Sequence, residues 1–427
     1  MKLAIVVQRY GADINGGAEL HARYVAERLA RHAEVQVFTT CAKDYVTWKN
    51  ELPAGDETVN GITVKRFPVA RPRQPEDFGR RSVTVFEQTH SVQDELKWLD
   101  SEGPTSPALI KHITRVKHDV DFFVFFSARY YHSFHGVRAV ADKAVLVPTA
   151  EREPSIGLNI FGPIFRGVRA IMYNSLEERA MLQAVANNRQ VPGVVVGVGS
   201  EIPERVQPWR AKRKFGLKRP YALYIGRIDE NKGCGELFEY FGRYAATFPD
   251  GLDLVLAGSA VMPIPQHPRI KHLGFVSDED KFDALGGADF LIMPSPFESL
   301  SMVALEAWAL GRPVLANGRC DVLRGQAIRS NAGLFYESYE EFAETMYVLE
   351  ATGPLNQILG RNGREFFKRH YAWPVIERKY MEMFERLKKD GAKGTIEPLP
   401  GWFARRKKNV PGSMGVVDAA PKGPVLR

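Results

Sequence analysis

The chain has 427 residues, 44% hydrophobic, 25% charged and 11% aromatic, with a formal net charge of +8. Such a composition excludes long disorder, and the length exceeds one ordinary core, so two domains of roughly 200 residues each are expected. The positive balance favours anionic partners such as phosphorylated small molecules or acidic lipid headgroups, whereas no recognised module accompanies it that would read nucleic acid.

In chain order, Leu3–Val7 reads as a buried strand. Its five apolar residues are too few for a signal-peptide core, and no window approaches about 18 uninterrupted apolar residues, so a cytoplasmic chain without a spanning helix is expected. The loop QRYGADINGG follows, then helical apolar spacing over Ala18–Ala30 and a strand at Glu34–Thr39. Further buried strands are expected at Ile62–Phe67, Phe122–Phe126, Ala144–Val147, Ala170–Tyr173 and Val194–Val196, which ends a first domain, 1–200. Three widely spaced cysteines, Cys41, Cys234 and Cys320, form neither a disulfide framework nor a zinc cluster and fit a reducing compartment.

From Glu201 the polar, Pro-punctuated stretch EIPERVQPWRAKRKFGLKRP reads as a linker. A second α/β series occupies 201–373, with strands at Tyr221–Ile225, Leu252–Ala257, Ile270–Leu273, Phe290–Met293, Val314–Ala316 and Gly333–Phe335, and helices at Gly235–Thr247 and Asp278–Leu285. Strands alternating with helices imply a parallel, doubly wound sheet. A last helix is expected over 374–388, and the Pro- and Gly-rich segment 389–427 is expected to be loosely held. Within it, GWFARRKKN pairs two interface-seeking aromatics with four basic residues, which fits either peripheral contact with an anionic membrane surface or a solvated tail.

Open parallel sheets bind ligands at the carboxyl ends of their strands, so the chemistry is sought in the strand-to-helix loops. NGGAE opens the first helix, where Gly16 and Gly17 let backbone N–H groups approach a phosphate or simply make a tight turn. The spacing of Gly11, Gly16 and Gly17 is not G-x-G-x-x-G, and the next strand ends FTT without a ribose-binding acid, which argues against a nicotinamide dinucleotide. GRIDENKG after Tyr221–Ile225 supplies Gly226, Arg227, Lys232 and Gly233, and a planar guanidinium fork beside a compact ammonium suits a diphosphate. In SPFESLSMVALE, Ser299 is expected to cap a helix, with the N–H groups of Leu300 and Ser301 facing an anion. Eight residues of helix rise about 12 Å, so Glu298 and Glu306 would bracket one nucleotide sugar, the first on sugar hydroxyls and the second on the ribose diol.

Together these residues resemble the retaining glycosyltransferases of family 4, through Gly16–Gly17, the G-R-x-x-x-x-K-G at Gly226–Gly233, the E-x7-E pair Glu298 and Glu306, and the surrounding ESLSMVALEAWALGRPVLA. The resemblance covers the chain to about residue 388. It implies a GT-B fold, two Rossmann-like domains facing across a cleft, with the last helix crossing back to the first domain. It implies a nucleotide-diphosphate sugar as co-substrate, no cofactor and no required metal, and transfer with retained configuration to a saccharide or lipid-linked acceptor, as in cell-surface polysaccharide biosynthesis at the inner face of the membrane. Arg227 and Lys232 would stabilise the leaving diphosphate, and Phe275 and Val276 would meet the base. Many such enzymes carry a histidine where LVPTAEREP has Glu151, so Glu151 would bind a hydroxyl, assist a proton, or mark altered or weakened activity. His132 and His135 in RYYHSFHG are alternative substitutes or structural loop histidines. The loops ARPRQPEDFGRRS and SARYYHSFHG are expected to bring arginines and tyrosines to an acceptor rim. A catalytically silent nucleotide-sugar-binding subunit and a GT-B epimerase or hydrolase are the rival readings.

Overall fold

In a computed structural model, residues 1–14, 16–391 and 394–399 are described. The near-continuous apolar segments form parallel strands, as expected for strands covered on both faces. The first domain holds β1 (Lys2–Val6), β2 (Glu34–Thr40), β3 (Gly55–Val59), β4 (Ile62–Phe67), β5 (Phe122–Phe126), β6 (Ala144–Val147), β7 (Ala170–Tyr173) and β8 (Gly193–Val195). They lie in the order β3-β4-β2-β1-β5-β6-β7-β8, and every pairing is parallel except β3 with β4. That antiparallel edge escapes the sequence reading although its signal is present. Asn60 and Gly61 occupy a two-residue turn with φ of 49° and 81°, between the paired residues Val59 and Ile62.

The second domain holds β9 (Tyr221–Ile225), β10 (Asp253–Ala257), β11 (Ile270–His272), β12 (Phe290–Met293), β13 (Val314–Asn317) and β14 (Gly333–Tyr336), all parallel, in the order β11-β10-β9-β12-β13-β14. Each sheet reverses direction once, between β1 and β5 in the first and between β9 and β12 in the second. A crevice opens at the carboxyl ends of strands where the order reverses, so these two places carry the ligand-facing loops.

One buried cluster joins the domains, running from Leu3, Ile5 and Val124 through Leu223 and Val255 to Trp373 and Phe384. The helix Trp373–Lys389, which follows the second domain in sequence, packs on the first sheet. Phe384 stacks on Phe122 with ring centroids 5.2 Å apart, Trp373 meets Tyr24 edge-on at 6.0 Å, and Arg169 donates to the Leu387 carbonyl at 2.9 Å. Part of the segment expected to be loose is held: Ile396 and Leu399 pack against the first core, and Arg166 pairs with Glu397 at 2.8 Å. GWFARRKKN lies outside the described residues.

Two segments read as rim loops are helical. Pro75–Glu87 forms a helix with proline in its first turn, and Tyr131–Ala139 forms another. Val92–Glu102 adds a helix closed by a capping box between Ser91 and Asp94. Among the described residues no helix is long and apolar enough to cross a membrane.

Candidate active site

The loop after β9 and the loop after β12 touch, and a glycine makes that contact possible. Gly233 has φ 74°, and a Cβ there would lie 2.3 Å from the Pro294 carbonyl oxygen. Only glycine accommodates both the left-handed backbone and the approach. The result is a direct pair: Lys232 donates from Nζ to Glu298 Oε1 at 2.8 Å across 66 residues of sequence. Burial opposes the charge of Lys232, but Glu298 and Glu151 outweigh it and hold the ammonium above its usual range. Asp229 organises the same loop, accepting from the Lys232 amide at 2.9 Å and pairing with the Arg227 guanidinium. Arg227 also donates to the Tyr45 hydroxyl of the first domain at 2.6 Å, so it spans the cleft.

Both domains line one cavity of about 390 Å³. Gly16 and Gly17 reach it from the loop after β1, Glu151 from the loop after β6, and Arg227, Lys232 and Glu298 from the second domain. Ser299 and Leu300 line it as well. Burial pushes the Glu151 carboxyl up to about 7, against the lowering influence of Lys232 and with a further push from Glu298. A second cavity of about 480 Å³ shares Glu298 with the first and continues between Met181, Phe297, Val322 and Ile328.

Several expected positions differ. Ser299 does not cap the helix: Ser301 does, accepting from the Ala304 amide at 3.2 Å, and the helix runs Met302–Ala309. Glu298 therefore precedes the helix by four residues, and the separation of about 12 Å inferred for eight helical residues does not apply. Glu306 is 2% exposed and is not among the cavity's lining residues. Its Oε1 accepts from Ser200 Oγ at 2.8 Å and from Lys281 Nζ at 3.0 Å, whereas its buried Oε2 has no partner among the described residues. Phe275, 71% exposed, Val276, Gly226 and Ser301 also lie outside that lining.

His132 and His135 do not substitute for a cleft histidine. His132 is fully buried, with Nε2 2.8 Å from the Phe126 carbonyl, and burial depresses it to about 4. His135 packs on Tyr131 and Phe134 and is likewise pushed to about 4 by burial. The acceptor-rim arginines are largely engaged, Arg73 with Glu102 and Arg129 with Glu102 and Glu153. Sequence reasoning missed Tyr45, Ser200 and Lys281, because nothing local marks a residue whose partner is far away in the chain. Among the described residues, no group of three or more His, Cys, Asp or Glu side chains is arranged to hold a metal ion.

Comparison with known proteins agrees with this architecture. Residues 219–351 match the family described as glycosyl transferases group 1. The D-inositol 3-phosphate glycosyltransferase of Corynebacterium urealyticum is 21% identical over 436 residues, covering 93% of this chain and 97% of that protein. Mannosylfructose-phosphate synthase of Agrobacterium fabrum is 24% identical over 192 residues, 41% of this chain, and the match spans only 42% of that protein. Anabaena HepE, solved in complex with UDP and glucose, superposes with a TM-score of 0.66 at 15% identity, over 90% of this chain and 100% of that one. The chain thus has the GT-B fold, and its residues 219–351 match the glycosyl transferases group 1 family.

Proposed function

We propose that the chain transfers a sugar from a nucleotide-diphosphate sugar to a hydroxyl of a saccharide or lipid-linked acceptor, with retained configuration and without a required metal. One observation carries the reading: the Lys232–Glu298 pair faces Glu151 and the Gly16–Gly17 turn across a single cavity between the two domains of the GT-B fold. Arg227 and Lys232 supply the charge that a departing diphosphate needs, as fixed cations in a partly desolvated site. The bond from the anomeric carbon to the phosphate oxygen breaks, and its electron pair leaves on the diphosphate. The acceptor oxygen bonds to that carbon from the same face and gives its proton to the departing phosphate oxygen. Glu298 and Glu151 hold sugar hydroxyls, and the unpaired Glu306 Oε2 is an acceptor for the ribose diol. Phe275 and Val276 are assigned to the base. A cytoplasmic reaction at the inner face of the membrane is consistent with three buried free cysteines, Cys41, Cys234 and Cys320.

A thermal-shift panel of UDP-, GDP-, ADP- and dTDP-sugars tests the reading, because a tight ligand raises apparent stability by mass action. Sugars on one base are expected to raise the unfolding midpoint; no shift with any of them removes the proposal.

The raised Glu151 carboxyl gives a pH dependence with a definite sign. Below about pH 7 it is protonated, and above that it is ionised beside the incoming diphosphate. Donor affinity is therefore expected to be highest below pH 7 and to fall as pH rises through it. The Glu151→Gln variant should keep the low-pH affinity throughout. Calorimetric titration between pH 6 and pH 8 decides this, and a flat wild-type profile would contradict it.

A further inference from the structure

The first-domain wall of the cleft cavity carries three deeply buried polar side chains with an atom that has no partner among the described residues. Gln8 and Asn174 are 2% exposed and His21 is 3% exposed, and all three line the cavity. Among the described residues, the buried Gln8 Oε1, His21 Nε2 and Asn174 Oδ1 each have no hydrogen-bond partner. They come from separate elements: Gln8 lies two residues beyond β1, His21 is in the helix Gly17–Leu29, and Asn174 directly follows β7. An unsatisfied buried polar atom is destabilising, so three on one wall of one cavity mark a surface that a ligand completes.

Backbone strain accumulates at the same wall. Ser127 and Thr149, at the ends of β5 and β6, have φ of 66° and 47° and line the cavity, with Thr149 Oγ1 donating to Ser127 Oγ at 3.0 Å. Left-handed backbone at non-glycine residues costs energy and clusters at ligand sites.

The chemistry of the wall selects the ligand class. All three unpartnered groups are uncharged, since burial holds His21 down at about 3 and leaves its imidazole neutral. The wall's arginines are already matched, Arg9 by Glu19 at 2.6 Å and Arg129 by Glu102 at 2.8 Å and by Glu153. Beside Glu151, what remains is a set of neutral donors and acceptors, and neither a carboxylate nor neutral groups attract a second phosphate, so the wall fits hydroxyl groups.

We propose that Gln8, His21 and Asn174 form a hydroxyl-binding subsite that takes a neutral sugar ring in the cleft. The proposal rests on the transferase reading above, and the ring belongs to either the donor or the acceptor. Gln8→Leu, His21→Phe and Asn174→Leu in the full chain test it, titrated with UDP, with UDP-glucose, and with methyl glucoside in the presence of saturating UDP, or with the matching set for the base that the thermal panel selects. All three variants are expected to bind UDP as the wild type does. A donor ring lowers UDP-glucose affinity about tenfold per variant, whereas an acceptor ring leaves it unchanged and lowers methyl glucoside affinity by that factor. The unfolding midpoint of the ligand-free variants should hold or rise, because each replacement removes an unsatisfied polar atom.

Variants that bind all three probes like the wild type overturn the subsite. So do midpoints that fall in all three, which would make the groups structural. A wild-type chain that binds no nucleotide or nucleotide sugar overturns the transferase reading itself, and the subsite with it.

Discussion

Lys232→Ala is expected to lower turnover of the nucleotide sugar about 100- to 1000-fold, the loss seen when one fixed group that stabilises developing charge is removed. The geometry makes the effect specific. Lys232 is the cation paired with Glu298 at 2.8 Å, and it also opposes the rise of the Glu151 carboxyl. Without it, two carboxylates face the diphosphate, and the remaining cation of that loop, Arg227, is already paired with Asp229. Glu151 should then hold its proton to higher pH than about 7, so the inflection in donor affinity moves upward as the rate falls. Steady-state kinetics across pH check both consequences. Wild-type turnover would remove Lys232 from the site, and a lower rate with an unmoved inflection would separate Lys232 from Glu151.

The second large effect is expected at Glu306, and here the structure changes what the sequence implied. A nucleotide-binding acid at the cleft could be removed without disturbing the fold. Glu306, however, is buried and ties Ser200, at the end of the first domain, to Lys281 of the second domain. Glu306→Ala leaves Ser200 without its acceptor and Lys281 with Asp278 alone, at a cost of about 1–3 kcal/mol, and should lower the unfolding midpoint. Glu306→Gln keeps the shape and isolates the ligand effect. A ribonucleoside diphosphate should bind this variant about tenfold more weakly than the wild type, through loss of a charged acceptor for the ribose diol. The 2′,3′-dideoxy analogue should bind both proteins equally. Calorimetry with the two nucleotides decides, and equal ribonucleotide affinity for variant and wild type would leave Glu306 a purely structural residue.

Much of the architecture is legible locally. Segments such as FFVFF at β5 and YALYI at β9 are apolar nearly throughout, which in an alternating β/α chain means a strand covered on both faces. Where strands are half-exposed the reading weakens: β3, GDETV, has no buried residue, and its best signal is the Asn60–Gly61 turn. The helices Pro75–Glu87 and Val92–Glu102 also left marks, an early proline in one and the Ser91–Asp94 capping box in the other. The capping of the Glu298 segment was ambiguous because Ser299 and Ser301 are both suitable residues. The choice fell to Ser301 as the chain before it is held out of the helix, by Asn317 donating to the Pro294 carbonyl at 2.9 Å and Ser295 donating to the Phe297 carbonyl at 2.9 Å.

By itself the sequence determined two doubly wound sheets and the loops where ligands could meet them, because apolar runs and the backbone freedom of glycine act over a few residues. Tertiary structure decided which charges meet. It joined Lys232 to Glu298 over 66 residues and Glu306 to Ser200 over 106, turned His132 inward onto a backbone carbonyl, and set the proton affinity of Glu151. The physical reason is that Coulomb and desolvation energies follow distance and burial in space, which separation along the chain does not specify.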